Sequence, residues 1–183
     1  MPQSGHFGAG REIGAKGSSI SAMPITARSR RAVPLTLEER RTTCGTLQDV
    51  LYHLIDLRLA VQQMHWNEQG PHFYGVHKML GEFYAALDAW VDTLAERILT
   101  LGFPADGRPE AVAEHSTLPA PPEGLVEDMA AVRYLLDAYA TFDERLRDAI
   151  EALEEPDPSS QDELVDLSKV SEQHQWMLRA HLT

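Results

Sequence analysis

A chain of 183 residues that is 43% hydrophobic and carries a formal net charge of −12 is long and apolar enough to fold as one domain. This composition excludes an intrinsically disordered protein, and no apolar run approaches the roughly 20 residues that cross a bilayer, so no membrane partner is predicted. The single cysteine, Cys44, rules out an intrachain disulfide and favours a reducing compartment, which predicts a cytoplasmic location.

The first 34 residues differ from the rest of the chain. They are rich in Gly, Ser, Ala and Arg, show no apolar periodicity, and carry five basic residues against one acidic residue. We predict that residues 1–34 form a disordered basic tail and that residues 35–183 form the folded domain. The acidic domain should repel DNA phosphate, whereas the tail could bind DNA and associate the protein with the nucleoid.

Four segments with helical periodicity follow the tail. The first starts with a capping box at Thr36 and ends near Asn67, before a Gly-Pro pair interrupts the apolar pattern. Further helices are predicted over about 73–101, 124–153 and 160–182. No alternating pattern or hairpin turn predicts a strand between them.

The connection between the second and third helices is unusually long. Residues 102–123 hold five prolines, with room for a short helical turn at Pro109–His115. Antiparallel neighbours need a much shorter link, so this one is predicted to run the length of the bundle and leave the two helices parallel. The predicted fold class is all-α: a ferritin-like four-helix bundle with one long crossover between helices two and three.

A ladder of carboxylates marks the second helix. Asp88, Asp92 and Glu96 repeat every four residues, and no Lys or Arg stands three or four positions from any of them. A solvated face is one explanation, because charged residues are mostly exposed. A second packing surface with a cation at the carboxylates is the other. Small and apolar residues lie on roughly the same side of the helix: Gly81, Ala85, Ala95 and Leu99.

Two histidines complete a set of candidate iron ligands. His65 belongs to a His-Trp-Asn motif at the end of the first helix, and His77 lies on the second. Imidazole suits iron(II) and carboxylate suits iron(III). His77 precedes Asp92 by fifteen residues, about 22 Å along a helix, so no single metal ion can contact both. If both serve one site, a second copy of the chain must complete it.

A di-iron site inside one bundle is excluded. Such sites use Glu-x-x-His motifs on two helices, and none of the eight histidines follows a glutamate by three residues.

Four motifs together resemble those of Dps, the DNA-binding protein from starved cells, also called miniferritin. The match covers about residues 36–183, and its motifs are His65-Trp66-Asn67, Gly70-Pro71-x-Phe73, Val76-His77-x-Met79 and Asp92-x-x-Ala95-Glu96-Arg97. The resemblance implies a hollow homododecamer with ferroxidase sites at each dimer twofold. Each site would combine both histidines of one chain with Asp92 and Glu96 of its partner. The implied enzyme oxidises iron(II), preferably with hydrogen peroxide, and stores iron(III) mineral, which protects DNA from oxidative damage.

The resemblance also implies roles for residues near these ligands. Trp66 is similar to a tryptophan thought to quench oxidising equivalents at the site, with simple packing as the alternative. Three carboxylates, Asp157, Asp162 and Asp166, resemble metal-binding residues that line the family's threefold pore for iron. Helix capping is the alternative for an aspartate near a helix start.

One position departs from the family pattern. Dps proteins usually have an aspartate four residues after the second histidine, where this chain has Gly81. Glu82 follows, but it is rotated by about 100° on a helix and substitutes poorly. The departure weakens the second iron position and supports an alternative, a mainly DNA-binding, nucleoid-compacting protein with weakened ferroxidase activity. A helical interaction module without iron chemistry is the third hypothesis.

Overall fold

The computed structural model describes residues 33–182. The predicted tail lies outside this range apart from Val33 and Pro34, and so does Thr183. Val33 already packs partly against the core, together with Leu35. None of the helices within the described range combines the length and the apolar composition of a membrane span.

Four long helices dominate the described chain. In order, the elements are α1 (Leu37–Asn67), β1 (Glu68–Gln69), α2 (Phe73–Thr100), α3 (Pro109–His115), β2 (Val126–Glu127), α4 (Asp128–Leu153) and α5 (Pro158–Ala180). The bundle consists of α1, α2, α4 and α5, so the predicted all-α four-helix fold is confirmed. The helix predicted from residue 124 begins four residues later, because the two residues before α4 pair as a strand.

Local chemistry fixes the helix ends. The capping box at the start of α1 is complete, since the amide of Glu39 donates to Thr36 Oγ1 at 3.2 Å and the amide of Thr36 donates to Glu39 Oε2 at 2.6 Å. After α2, Gly102 has a φ of 92°, which favours glycine and turns the chain out of the helix. The capping box was predicted from the sequence, and Gly102 directly follows the predicted end of the second helix.

The two short strands were not predicted, and the expectation of no strand was wrong. They pair in parallel, with Glu68 opposite Val126 and Gln69 opposite Glu127. Two residues are too few to produce a period-2 pattern, so nothing in the sequence marks them. Because β1 leads into α2 and β2 leads into α4, both helices begin at the same end of the bundle. They therefore run parallel, which confirms the long crossover.

The core lies between the four helices and is mostly aliphatic, with a few fully buried aromatic rings. One polar pair is buried among them: Tyr139 and His174 are linked by a hydrogen bond of 2.8 Å between the hydroxyl and Nδ1. The ring of Phe83 stacks on His174 with centroids 3.8 Å apart. Burial lowers the pKa of His174 to about 4, so this histidine is a neutral core residue.

Candidate metal centre

The turn between α1 and α2 brings two predicted ligands together. His65 lies in the last turn of α1 and His77 in the second turn of α2. Their imidazole rings stack with centroids 3.9 Å apart and an angle of 17° between planes. Phe73 also stacks on His77, at 5.0 Å between centroids.

Backbone hydrogen bonds fix the orientation of both rings. Nδ1 of His65 lies 3.0 Å from the carbonyl oxygen of His77, and Nδ1 of His77 lies 3.0 Å from the carbonyl oxygen of His65. A carbonyl oxygen can only accept, so each Nδ1 carries the proton and donates. In the neutral imidazole each Nε2 then keeps a free lone pair, the form in which histidine binds a metal ion.

A shallow depression of about 340 Å³ lies beside the two imidazoles. Its wall includes Gly81 and Glu82. A Cβ atom at Gly81 would lie 3.3 Å from His65 Cε1, so the missing side chain leaves the edge of that ring uncovered. Burial, assisted by the nearby His77, lowers the pKa of His65. A neutral imidazole at this edge is suited to bind a cation.

Glu68 is a buried carboxylate behind the histidine pair that the sequence analysis missed. It is the C-cap of α1 and 3% exposed, and its Oε1 lies 3.4 Å from Nδ1 of His77. Neither carboxylate oxygen has a hydrogen-bond partner among the described residues. Burial raises the pKa of Glu68, and His77 opposes that shift. Its burial depends on the unpredicted pairing of β1 with β2, so its only sequence signal was its place directly after the His-Trp-Asn motif.

A second buried carboxylate holds this turn in place. Asp128, the first residue of α4, accepts hydrogen bonds from the amides of His72 at 2.6 Å and Met129 at 2.8 Å. Gly70 packs against it with a φ of 152°, and a Cβ atom there would collide with the Asp128 carboxylate. Glycine at this position therefore allows the start of α4 to approach the turn that presents both histidines.

The remaining predicted ligands lie elsewhere on the subunit. Asp92 and Glu96 are exposed on the same continuous helix as His77, and neither carboxylate has a hydrogen bond or ion pair with another described residue. The third carboxylate of the ladder differs, because Asp88 pairs with Arg58 of α1 at 2.6 Å. Within residues 33–182, no three His, Cys, Asp or Glu side chains are grouped closely enough to hold a metal ion. One subunit thus presents two separate half-sets of candidate ligands.

Large apolar side chains are exposed near these half-sets. Trp66 is 65% exposed beside His65, Tyr74 is 74% exposed, and Leu99 is 59% exposed beside the carboxylates. Trp66 therefore does not pack into the core of its own subunit. Simple packing within one subunit does not explain this residue. Exposed apolar groups of this size, here beside each half-set, are typical of a surface that another chain covers.

Comparisons with known proteins agree on one family. The ferritin-like domain model matches residues 44–183. The DNA protection during starvation protein of Agrobacterium fabrum is 34% identical over 144 residues, which cover 78% of this chain and 89% of that protein. The chain belongs to the Dps family of ferritin-like proteins.

Solved Dps structures share the fold. DpsC from Streptomyces coelicolor gives a TM-score of 0.79 at 30% identity and covers 94% of this chain and 96% of that one. A Dps from Microbacterium arborescens, solved in its high iron form, gives a TM-score of 0.77 at 29% identity. The match covers 80% of this chain and 96% of that one.

The three aspartates predicted at a Dps-type pore have different surroundings. Asp157 is 3% exposed, and its Oδ2 accepts from Arg97 at 2.8 Å and from Ser160 at 2.5 Å. It makes no capping hydrogen bond to α5, so neither capping nor a solvent-facing carboxylate describes it. Asp162 and Asp166 are exposed, and Asp166 pairs with Lys169 at 2.7 Å.

Proposed function

We propose that this protein assembles as a hollow homododecamer that oxidises iron(II) at sites shared between twofold-related subunits. His65 and His77 of one subunit and Asp92 and Glu96 of its partner bind the iron substrate. Dodecamers are characteristic of the Dps family. The iron(III) product is stored as mineral in the shell, and removal of iron and peroxide protects DNA.

The separation of the two half-sets carries this proposal. His77 and Asp92 lie fifteen residues apart on one unbroken helix, about 22 Å along its axis. Both Nδ1 atoms are occupied by backbone carbonyls, which leaves the Nε2 atoms available, and both carboxylates are exposed without a side-chain partner among residues 33–182. A twofold axis makes each contact occur twice, so the histidines of either subunit would meet the carboxylates of the other.

The ligand set suits a one-electron oxidation of iron. The imidazoles hold iron(II), and the carboxylates stabilise iron(III) as charge increases. Hydrogen peroxide is the proposed preferred oxidant. Two iron(II) ions supply the two electrons that break its O–O bond, and both oxygen atoms leave as water or hydroxide. We propose that Trp66, which is exposed beside His65, donates an electron to any oxidising species that iron(II) does not reduce.

Iron is proposed to enter through an acidic pore. Asp162 and Asp166 are the members of the predicted set with exposed carboxylates and remain candidates for its lining. Asp157 is better assigned to the ion pair with Arg97, which joins the end of α2 to the start of α5. We further propose a cytoplasmic location, because relatives of this chain are named for the protection of DNA.

The absence of a carboxylate at Gly81 favours a second candidate function. With fewer ligands the second iron position is weak, and the protein would act mainly by binding and compacting DNA. Residues 1–34 are the proposed DNA-binding segment, and an assembly would present many copies of this basic tail.

The double variant Asp92→Ala/Glu96→Ala tests the main proposal. Assembly should be retained, because neither side chain has a partner in the part of the subunit that the structure describes, while fast oxidation of iron(II) by peroxide should be lost. The matched control is Glu144→Ala/Asp148→Ala, an exposed acidic pair with the same spacing on α4. Oxidation at the wild-type rate in the Asp92→Ala/Glu96→Ala assembly would refute the site.

A DNA gel shift tests the second candidate. The full-length assembly should retard DNA at low salt, and its affinity should fall as salt rises, because phosphate contacts release counterions. A variant without residues 1–34 should lose this shift while it keeps ferroxidase activity. No retardation by the full-length assembly at low salt would remove the DNA-binding candidate.

A further inference from the structure

Glu68 is an unusual residue to find buried. Its side chain is fully shielded from solvent, yet neither oxygen has a hydrogen-bond partner in the described part of the chain. A buried carboxylate without a donor destabilises a fold. Such groups are rare in native structures, and each calls for a specific explanation.

The surroundings of Glu68 point to His77. The carboxylate Oε1 is 3.4 Å from Nδ1 of His77, the nitrogen that donates to the carbonyl of His65 at 3.0 Å. Glu68 thus stands on the side of the imidazole away from Nε2, the metal-binding nitrogen. Asp128, the other buried carboxylate nearby, is already satisfied by two amides.

We propose that Glu68 is a positioning residue for His77, an inference that rests on the proposed iron site. Its carboxylate attracts the Nδ1–H of His77, which also donates to the His65 carbonyl. This attraction holds the ring with Nε2 facing the depression and makes Nε2 a stronger ligand. Outer carboxylates of this kind commonly orient metal-binding histidines. It acts on the imidazole that stacks on His65, the ring beside the position where Gly81 provides no carboxylate.

Metal titration of the assembled protein without an oxidant tests this role. Co²⁺ is the probe, because it binds ligands similar to those of iron(II) and its visible absorption reports coordination. Glu68→Gln, which keeps the shape of the side chain, should weaken Co²⁺ binding by about 10-fold or more. Its melting temperature should stay level or rise, since the buried unpaired carboxylate is gone. If the Glu68→Gln protein does not fold, Glu68→Val is the second variant to test.

Two comparisons separate positioning from a general structural effect. The control Glu123→Gln removes an exposed carboxylate and should bind Co²⁺ like the wild type. In a His77→Ala background, Glu68→Gln should weaken binding no further, because its effect passes through that imidazole. Wild-type affinity in Glu68→Gln, or an equal loss with and without His77, would overturn the role of Glu68. An undiminished affinity in His77→Ala alone would instead overturn the proposed iron site.

Discussion

His65 and His77 each direct Nδ1 at the backbone carbonyl oxygen of the other, at 3.0 Å in both directions. This reciprocal arrangement joins the last turn of α1 to the second turn of α2. It also sets both tautomers at once, because two carbonyl oxygens require two N–H donors. The orientation of both rings is therefore fixed within one folded subunit, which suits the metal site proposed above.

Restoring the carboxylate at position 81 should strengthen the second iron position. Gly81→Asp places its Cβ about 3.3 Å from His65 Cε1, so a small shift of the ring admits the new side chain beside the depression. We expect the number of Co²⁺ ions bound per site, measured by titration, to rise from one towards two. Gly81→Ala is the control for the added Cβ. If the aspartate and alanine variants bind the same number of ions, the assignment of this position to the site is wrong.

Two glycines at the start of α2 should respond oppositely to alanine. Gly70→Ala should lower the free energy of unfolding by about 1–3 kcal/mol, because the residue has positive φ and its Cβ would collide with Asp128. Gly75→Ala, in a helix and with open space around the new Cβ, should be neutral or stabilising by up to about 1 kcal/mol. Chemical denaturation of both variants provides the measurement. Equal tolerance of the two substitutions would contradict the packing described for the turn.

The buried His174 should make stability depend on acid. Its pKa is about 4 in the folded protein and near 6.5 when unfolded. Between these values the unfolded chain binds a proton that the folded chain does not, so stability falls as pH drops from about 6.5 to 4. The full loss is on the order of 3 kcal/mol. His174→Asn should flatten this part of the curve of melting temperature against pH. An unchanged slope in the variant would show that other groups control the acid response.

Long-range regularity was the part of the fold that the sequence predicted well. The apolar periodicity placed four long helices, the capping box at Thr36 placed the start of α1, and the proline-rich link indicated the parallel crossover. Each of these signals is repeated over many residues or has a fixed local chemistry. The pairing of β1 with β2 has neither property, because it joins two pairs of residues far apart in the chain.

The sequence identified the candidate ligands of the proposed site but not the residues that surround them. His65 and His77 stand out by residue type and motif, whereas Glu68 looks like an ordinary polar residue after a helix. Its burial follows from tertiary contacts alone. The environment of Asp157 was likewise unreadable, because its partner Arg97 is sixty residues away in the chain. Nothing local distinguishes a carboxylate in a buried ion pair from one that faces solvent.

Mixed assemblies test the shared site most directly. One chain carries His65→Ala/His77→Ala and the other carries Asp92→Ala/Glu96→Ala, and each should be inactive alone. In a co-assembled mixture, about half of the twofold dimers contain unlike chains, and each of these regains one of its two sites. Peroxide-dependent oxidation of iron(II) should therefore return to about a quarter of the wild-type rate. A mixed assembly that contains both chains and stays as inactive as its parents would contradict the proposal that two subunits build one centre.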